Sequence, residues 1–183
     1  MIVSKVAKRY AKALLSLGRE DGNFERYGRD LQDFSEFCLG NREFRKVIAN
    51  QIFAGEDRKK ILNVVLEESG FSDVVKNFLN LLLDKYRIGA VEEITKHYER
   101  LTDEISNIAR AEIITPMPLK EEAQNRLEKV LGDLTSKKIK TEVKEDESLI
   151  GGIIVKIGDL VLDGSMKAQL EGLKESLKRG EYS

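Results

Sequence analysis

The sequence predicts an α+β chain of two domains: a six-helix bundle over residues 1–105, then a small mixed α/β domain over 106–183. Three observations lead there. Everything before Ile108 carries apolar residues at steps of three and four, broken by short turns. After Ile108 the pattern turns to alternation, and Pro116 and Pro118 interrupt it. The stretch Leu149–Ser165, LIGGIIVKIGDLVLDGS, is apolar, β-like and punctuated by glycine.

The first helix is expected from about Val3 to Leu17, stopping at Gly18, with Asp21-Gly22-Asn23 as the turn. The second carries Phe24, Tyr27, Leu31, Phe34 and Cys38 and ends near Gly40. A short third holds Phe44, Val47 and Ile48. The fourth follows Gly55, with Ile61, Leu62, Val65 and Leu66 as its stripe, and ends at Gly70. The fifth runs from Ser72, an N-cap candidate, to about Arg87, before Gly89. The sixth holds Val91, Ile94, Tyr98, Leu101 and Ile105. Short turns between amphipathic helices imply antiparallel neighbours.

In the second domain, Ala109, Ala111 and Ile113 alternate with Arg110, Glu112 and Ile114, a strand pattern that Pro116 stops. A helix follows from Leu119 to about Leu134. Ile139, Thr141 and Val143 mark a second strand. Ile153–Ile157 and Leu160–Leu162 are two more, joined by Gly158-Asp159, a pair that suits a type II′ turn. Ser165 can cap a last helix whose stripe is Met166, Leu170, Leu173 and Leu177, and the tail 178–183 is expected to fray. The boundary falls around Leu101 to Ile108, with no flexible linker composition.

Composition excludes several functions. The chain is 41% hydrophobic and 34% charged, which argues against disorder. Its net charge is −1, with 18 basic and 18 acidic residues up to Glu104 and 13 against 14 beyond it, so neither half offers the concentrated positive field that nucleic acid needs. The single cysteine, Cys38, cannot form an internal disulfide; between Phe37 and Leu39 it reads as a small core residue. Lys5, Lys8, Arg9 and Lys12 interrupt the N-terminal stretch, so no secretory core forms, and no stretch is long and apolar enough to span a bilayer.

No catalytic or metal-binding pattern stands out. Gly151, Gly152 and Gly158 do not make a phosphate loop, because Asp159 and Leu160 follow where a Lys-Ser or Lys-Thr pair is needed, and the glycines precede a strand and turn a hairpin. Their expected role is backbone geometry: a tight approach at Gly151-Gly152 and a positive dihedral at Gly158. Asp163-Gly164-Ser165 reads as the turn that opens the last helix. His97 reads as a surface or domain-interface residue. The acidic end Glu142–Glu147 is expected to face Lys137 and Lys138.

Two helices are too apolar for one core face. On the first, Val3, Val6, Ala7, Tyr10, Ala11, Ala13, Leu14, Leu15 and Leu17 cover roughly 200° of the wheel, twice the arc of about 100° that a single buried stripe needs. On the fifth, Val74, Val75, Phe78, Leu79, Leu81, Leu82, Leu83 and Tyr86 do the same. Either these are central helices enclosed within the bundle, or they leave a groove for a partner's amphipathic helix. The residues alone leave both readings open.

Three stretches carry a family resemblance: Tyr10-Ala-Lys-Ala-Leu14, Phe78-Leu-Asn-Leu-Leu-Leu-Asp-Lys-Tyr-Arg87, and Leu149–Ser165 followed by Leu170. Over nearly its whole length the chain resembles the F-type ATP synthase delta subunits, which are related to the mitochondrial oligomycin-sensitivity-conferring protein. One departure is Thr115-Pro-Met-Pro-Leu119, where the family often has Ser-Ala-x-Pro-Leu; the extra proline alters the exit from the strand. The resemblance implies a non-catalytic stator subunit without cofactor or metal, one copy per complex, that links the F1 catalytic head to the peripheral stalk. It implies that the first and fifth helices receive the N-terminal helix of an alpha subunit, with Tyr10, Ala13, Leu14, Leu17, Phe78, Leu79 and Leu82 as contact candidates. It implies that the second domain engages the C-terminal region of the b subunits, with Gly151, Gly152, Gly158, Asp163, Gly164 and Ser165 serving the fold. The implied location is peripheral, on the cytoplasmic face of a bacterial inner membrane, with a bacterial origin favoured because no transit peptide precedes Met1. Three rival readings are a cytoplasmic helical adaptor for a different partner helix, an enzyme with a site across the interdomain cleft around Glu99 or Asp163, and a nucleic-acid module, which would require a clustered Lys/Arg face despite the balanced totals.

Overall fold

A computed structural model describes residues 4–179, so the helix start expected at Val3 and most of the tail expected to fray lie outside the described residues. The chain divides into two compact units, Met1–Asp103 and Glu104–Ser183.

The first unit is built from α1 (Lys5–Glu20), α2 (Phe24–Gly40), α3 (Arg42–Ala49), α4 (Gly55–Glu68), α5 (Asp73–Asp84), a 3-10 turn (Ile88–Ala90) and α6 (Val91–Ile105), whose last residues pass the unit boundary. Ser4 starts α1: its Oγ accepts the Ala7 N–H at 3.2 Å, satisfying one of the donors a helix start leaves free. The apolar faces meet in one core that includes Leu14, Leu31, Phe34, Leu62, Leu79, Leu82, Ile94 and Tyr98. Tyr98 keeps its phenol satisfied there by donating to the Phe24 carbonyl at 2.8 Å.

Three local expectations need correction. Gly18 does not stop α1. It lies buried within the helix, and an added Cβ would come 2.7 Å from the Phe24 Cα, so the glycine permits the start of α2 to fold back closely. The fifth helix ends at Asp84 and not near Arg87. Tyr86 takes a left-handed conformation (φ 55°) and the Arg87 N–H returns to the Leu82 carbonyl at 2.7 Å, closing the helix before Gly89 is reached. Of the two placements expected for His97, the surface one is overturned: the ring is buried, and its Nδ1 lies 3.3 Å from Arg100 Nη2.

The second unit contains β1 (Ile108–Thr115), α7 (Glu121–Thr135), β2 (Lys138–Glu145), β3 (Ile154–Ile157), β4 (Leu160–Asp163) and α8 (Met166–Arg179). The sheet order is β2-β1-β3-β4. β1 and β2 are parallel, joined by the α7 crossover, while β3 and β4 add antiparallel neighbours. Alternation sends Ala111, Ile113, Ile139 and Val155 to the face that α7 covers with Leu131. Thr141 ties that helix to the sheet: its Oγ1 accepts from Gln124 Nε2 and donates to Glu128 Oε1, both at 2.6 Å. The opposite face is charged. There Glu112 meets Lys144 at 2.7 Å and Lys156 at 3.5 Å, across the register that pairs it with Glu142 and Lys156. Glu142 also faces Lys144, at 3.7 Å, and not the Lys137–Lys138 pair expected.

Candidate partner-binding surfaces

The chemistry of the described residues is structural. Among them no group of three or more His, Cys, Asp or Glu side chains is arranged to hold a metal ion. Cys38 is buried, and burial pushes its thiol up to about 11, far from the thiolate that nucleophilic work requires. Among the described residues no helix is long and apolar enough to cross a membrane.

The two over-apolar helices divide their surplus between core and surface. Ala7, Ala11, Leu14 and Leu15 of α1 and Val75, Leu79, Leu82 and Leu83 of α5 are buried in the core of the unit. Leu14, Leu79 and Leu82 are 1%, 0% and 0% exposed, so these three predicted contacts are core residues and present nothing to a partner. The small Ala7 and Ala11 serve close packing within the unit.

What remains outside is ordered. On α1 the half-buried Val6 and Tyr10 and the exposed Ala13 and Leu17 fall at i, i+4, i+7 and i+11, one continuous stripe. On α5 the half-buried Val74, the 8% exposed Phe78 and the 44% exposed Leu81 fall at i, i+4 and i+7. The Tyr10 and Phe78 rings meet edge to face, 6.2 Å apart at 70°, and join the two stripes at their base. Arg9 lies 5.4 Å from the Tyr10 ring and marks the polar border. The two helices thus meet at an aromatic contact, and the stripes that extend from it carry the exposed Leu17 and Leu81. Leu81, exposed here, was not among the predicted contact candidates, because the wheel could not say which edge of a roughly 200° arc faces outward.

In the second unit the glycine signature does what its residues predicted locally. Gly152 has φ 83°, and a Cβ there would stand 2.2 Å from the Gly164 carbonyl oxygen; at Gly151 it would stand 2.7 Å from Met166 Sδ. Gly164 N–H donates to the Ile153 carbonyl and Met166 N–H to the Gly151 carbonyl, so the segment before β3 and the start of α8 are laced together. Asp163 Oδ1 accepts the Ser165 N–H at 2.9 Å and Ser165 Oγ accepts the Ala168 N–H at 3.2 Å, opening α8. Gly158 has φ 57° while Asp159 is not in the left-handed region, the pattern of a type II′ turn.

This unit also keeps apolar surface open. The α8 stripe of Met166, Leu170, Leu173 and Leu177 is exposed along its length, and so are Leu160, Val161 and Leu162 of β4 and Val130 and Leu134 of α7. The sheet face that α7 covers over β2 thus runs out uncovered at Leu160 and Leu162.

Each unit thus leaves ordered apolar side chains exposed, the kind of surface that a subunit of a larger assembly presents to its neighbours. The chain belongs to the ATP synthase delta (OSCP) subunit family, whose model matches residues 6–177. It is 46% identical over 177 residues to the ATP synthase subunit delta of Desulfatibacillum aliphaticivorans, covering 97% of each chain. It is 41% identical over 176 residues to that of Desulforapulum autotrophicum, covering 96% of each. Its fold resembles a chain of the Toxoplasma gondii mitochondrial ATP synthase hexamer, with a TM-score of 0.72 at 15% identity over 95% of this chain and 98% of that one. A chain of the Polytomella F-ATP synthase, in a refinement of the F1 head and rotor, matches with a TM-score of 0.51 at 24% identity over 56% of this chain and 90% of its own. The protein is a structural, non-catalytic subunit.

Proposed function

We propose that this chain is the stator tie of an ATP synthase, gripping the F1 catalytic head with residues 1–105 and the peripheral stalk with residues 106–183, one copy per complex. The observation that carries the reading is the pair of apolar stripes on α1 and α5, joined by Tyr10 on Phe78 and ending in exposed Leu17 and Leu81, which we read as the two walls of one trough. Its occupant is the N-terminal helix of an alpha subunit. Ala13, Leu17, Leu81 and the outer edges of Tyr10 and Phe78 make the contact, with Leu14, Leu79 and Leu82 supporting them from within.

The second unit holds the C-terminal region of the b subunits on the apolar surface formed by β4 and the α8 stripe. The subunit sits peripherally on the cytoplasmic face of a bacterial inner membrane. Its work is mechanical: the head must not turn with the rotor, and binding energy opposes the torque. Covering about 400 Å² of apolar surface in the trough contributes on the order of 10 kcal/mol gross. Ordering and association costs remove much of this. Attachment at both units within one assembly raises the effective affinity of each.

Calorimetric titration of the full chain with an alpha N-terminal peptide tests the reading. Saturable binding that Leu17→Asp abolishes is the expected result. A folded Leu17→Asp protein with unchanged affinity overturns the trough assignment.

A further inference from the structure

The charge of the first unit is spread unevenly along the chain. Residues 1–19 hold five basic side chains and no acidic one, while residues 20–104 hold 13 basic and 18 acidic. Four of the five, Lys5, Lys8, Arg9 and Lys12, fall in the first half of α1 and are exposed. None of the four forms an ion pair with a carboxylate among the described residues.

This arrangement gains α1 nothing. Lys5–Arg9 and Lys8–Lys12 stand at i, i+4, and Lys5–Lys8 and Arg9–Lys12 at i, i+3, spacings at which like charges repel. The first turn has no acidic residue, so cations stand where the helix dipole favours anions. Glu93 reaches the start of the helix, but its carboxylate accepts the Ser4 N–H at 3.3 Å and takes up none of the four cations. Such a row is complemented by negative charge from outside.

The row has a fixed relation to the apolar stripe of α1. Lys5, Arg9 and Lys12 stand immediately before Val6, Tyr10 and Ala13, so the two rows run side by side, about 100° apart around the helix. Arg9 is tied to the border between them: its guanidinium lies 5.4 Å from the centroid of the Tyr10 ring, and Tyr10 in turn packs on Phe78. On α5 the residues immediately before Val74, Phe78 and Leu81 are Asp73, Asn77 and Asn80, none of them basic. The two stripes are therefore edged by unlike charge, positive along α1 and neutral to negative along α5.

We infer that the row Lys5, Arg9 and Lys12 selects and orients the helix held on the α1 and α5 stripes, an assignment that rests on the reading of those stripes as the seat of an alpha N-terminal helix. That helix carries acidic side chains along one polar edge and is turned so that this edge lies over α1. The apolar stripes offer burial to any amphipathic helix; the charged row decides which one seats, and which way round.

The test titrates the full chain with an alpha N-terminal peptide and with a twin in which Asp and Glu are replaced by Asn and Gln, using the parent and the triple variant K5Q/R9Q/K12Q. The parent is expected to bind the peptide with an affinity that falls as salt rises. The variant should bind it about tenfold more weakly and with a shallower salt dependence. The twin should bind parent and variant alike, at that weaker level, because the charges act as pairs. The variant should unfold at or above the parent's temperature, since it loses only repulsion. An unchanged affinity in the variant, a twin that binds the parent as tightly as the peptide does, or a variant that unfolds earlier overturns the inference and leaves the α1–α5 seat standing. A parent that does not bind the peptide removes the seat itself, and the inference with it. Phosphatidylglycerol vesicles that hold the parent and not the variant, with peptide affinity unchanged, would assign the row to a lipid surface and overturn the inference as well.

Discussion

Asp30 in α2 caps a helix 42 residues further along the chain: its Oδ2 accepts both the backbone N–H and the hydroxyl of Ser72, each at 2.8 Å. Ser72 was expected to cap α5 with its own side chain, but it makes no such bond; its hydroxyl turns back to Asp30, and the buried carboxylate takes up an N–H at the helix start. Asp30→Ala therefore removes a cap and strands two donors, and should cost about 1–3 kcal/mol of unfolding free energy. Urea denaturation followed by far-UV circular dichroism measures it; a midpoint equal to the parent's would show that the contact carries no stability.

The trough separates binding from stability within one helix. Leu81→Asp changes an exposed wall residue and should weaken binding of an alpha N-terminal peptide by about tenfold or more while leaving the unfolding midpoint within about 0.5 kcal/mol of the parent. Leu79→Ala, two residues earlier and fully buried, should instead lower stability by about 2–5 kcal/mol. Paired calorimetry and denaturation distinguish the two, and Leu81→Asp fails as a wall residue if it behaves like Leu79→Ala.

Two glycines of the signature should respond unequally to alanine. At Gly158 the added methyl meets open space, and only the positive φ resists it, a cost of about 1 kcal/mol. At Gly152 the methyl would overlap the Gly164 carbonyl and the Ser165 Cα as well as a positive φ, so the start of α8 must move. The expected cost exceeds about 3 kcal/mol. Hydrogen exchange of β3 and α8 amides in the two variants checks the order; equal protection in both would contradict the close approach.

Tyr27 donates its phenol to Asp21 in a short hydrogen bond. That bond pushes the Tyr27 phenol up to about 12 and, together with the Asn23 N–H, holds the Asp21 carboxyl below its ordinary value. The signs differ. The lowered carboxyl contributes stability above its unfolded pKa near 3.8 that is lost as pH falls through the folded value. The raised phenol contributes stability below pH 10 that is lost as pH rises toward about 12. Tyr27→Phe should flatten both limbs of a melting-temperature profile, and an unchanged acid limb would remove Asp21 from the account.

The helices were legible because each buries a stripe at helical spacing, and Phe24, Tyr27, Leu31, Phe34 and Cys38 were read from that alone. The hairpin was legible from Gly158-Asp159, since a two-residue turn imposes its own chemistry. What escaped depends on contacts distant in sequence. Gly18 reads as a stop unless Phe24 is known to lie against it. Tyr86 holds a left-handed position that usually calls for glycine, with the Arg58 guanidinium 5.1 Å from its ring, and no local signal announces this. In the trough, the arcs of α1 and α5 were visible but their outward edges were not. Leu14, Leu79 and Leu82 were therefore named although they are buried, and the exposed Leu81 was not. Sheet order was beyond reach, because alternation fixes which side a residue takes and not which strand lies beside it.

The outer strand, β4, has consequences for a copy without partners. Its sequence Leu-Val-Leu is exposed, and one side of its backbone pairs with no strand of the sheet. Such a margin is a template on which another chain can add. Subunits synthesised in excess of their assembly would stick to one another through this margin, so a cell has reason to match production to demand and to degrade the surplus quickly.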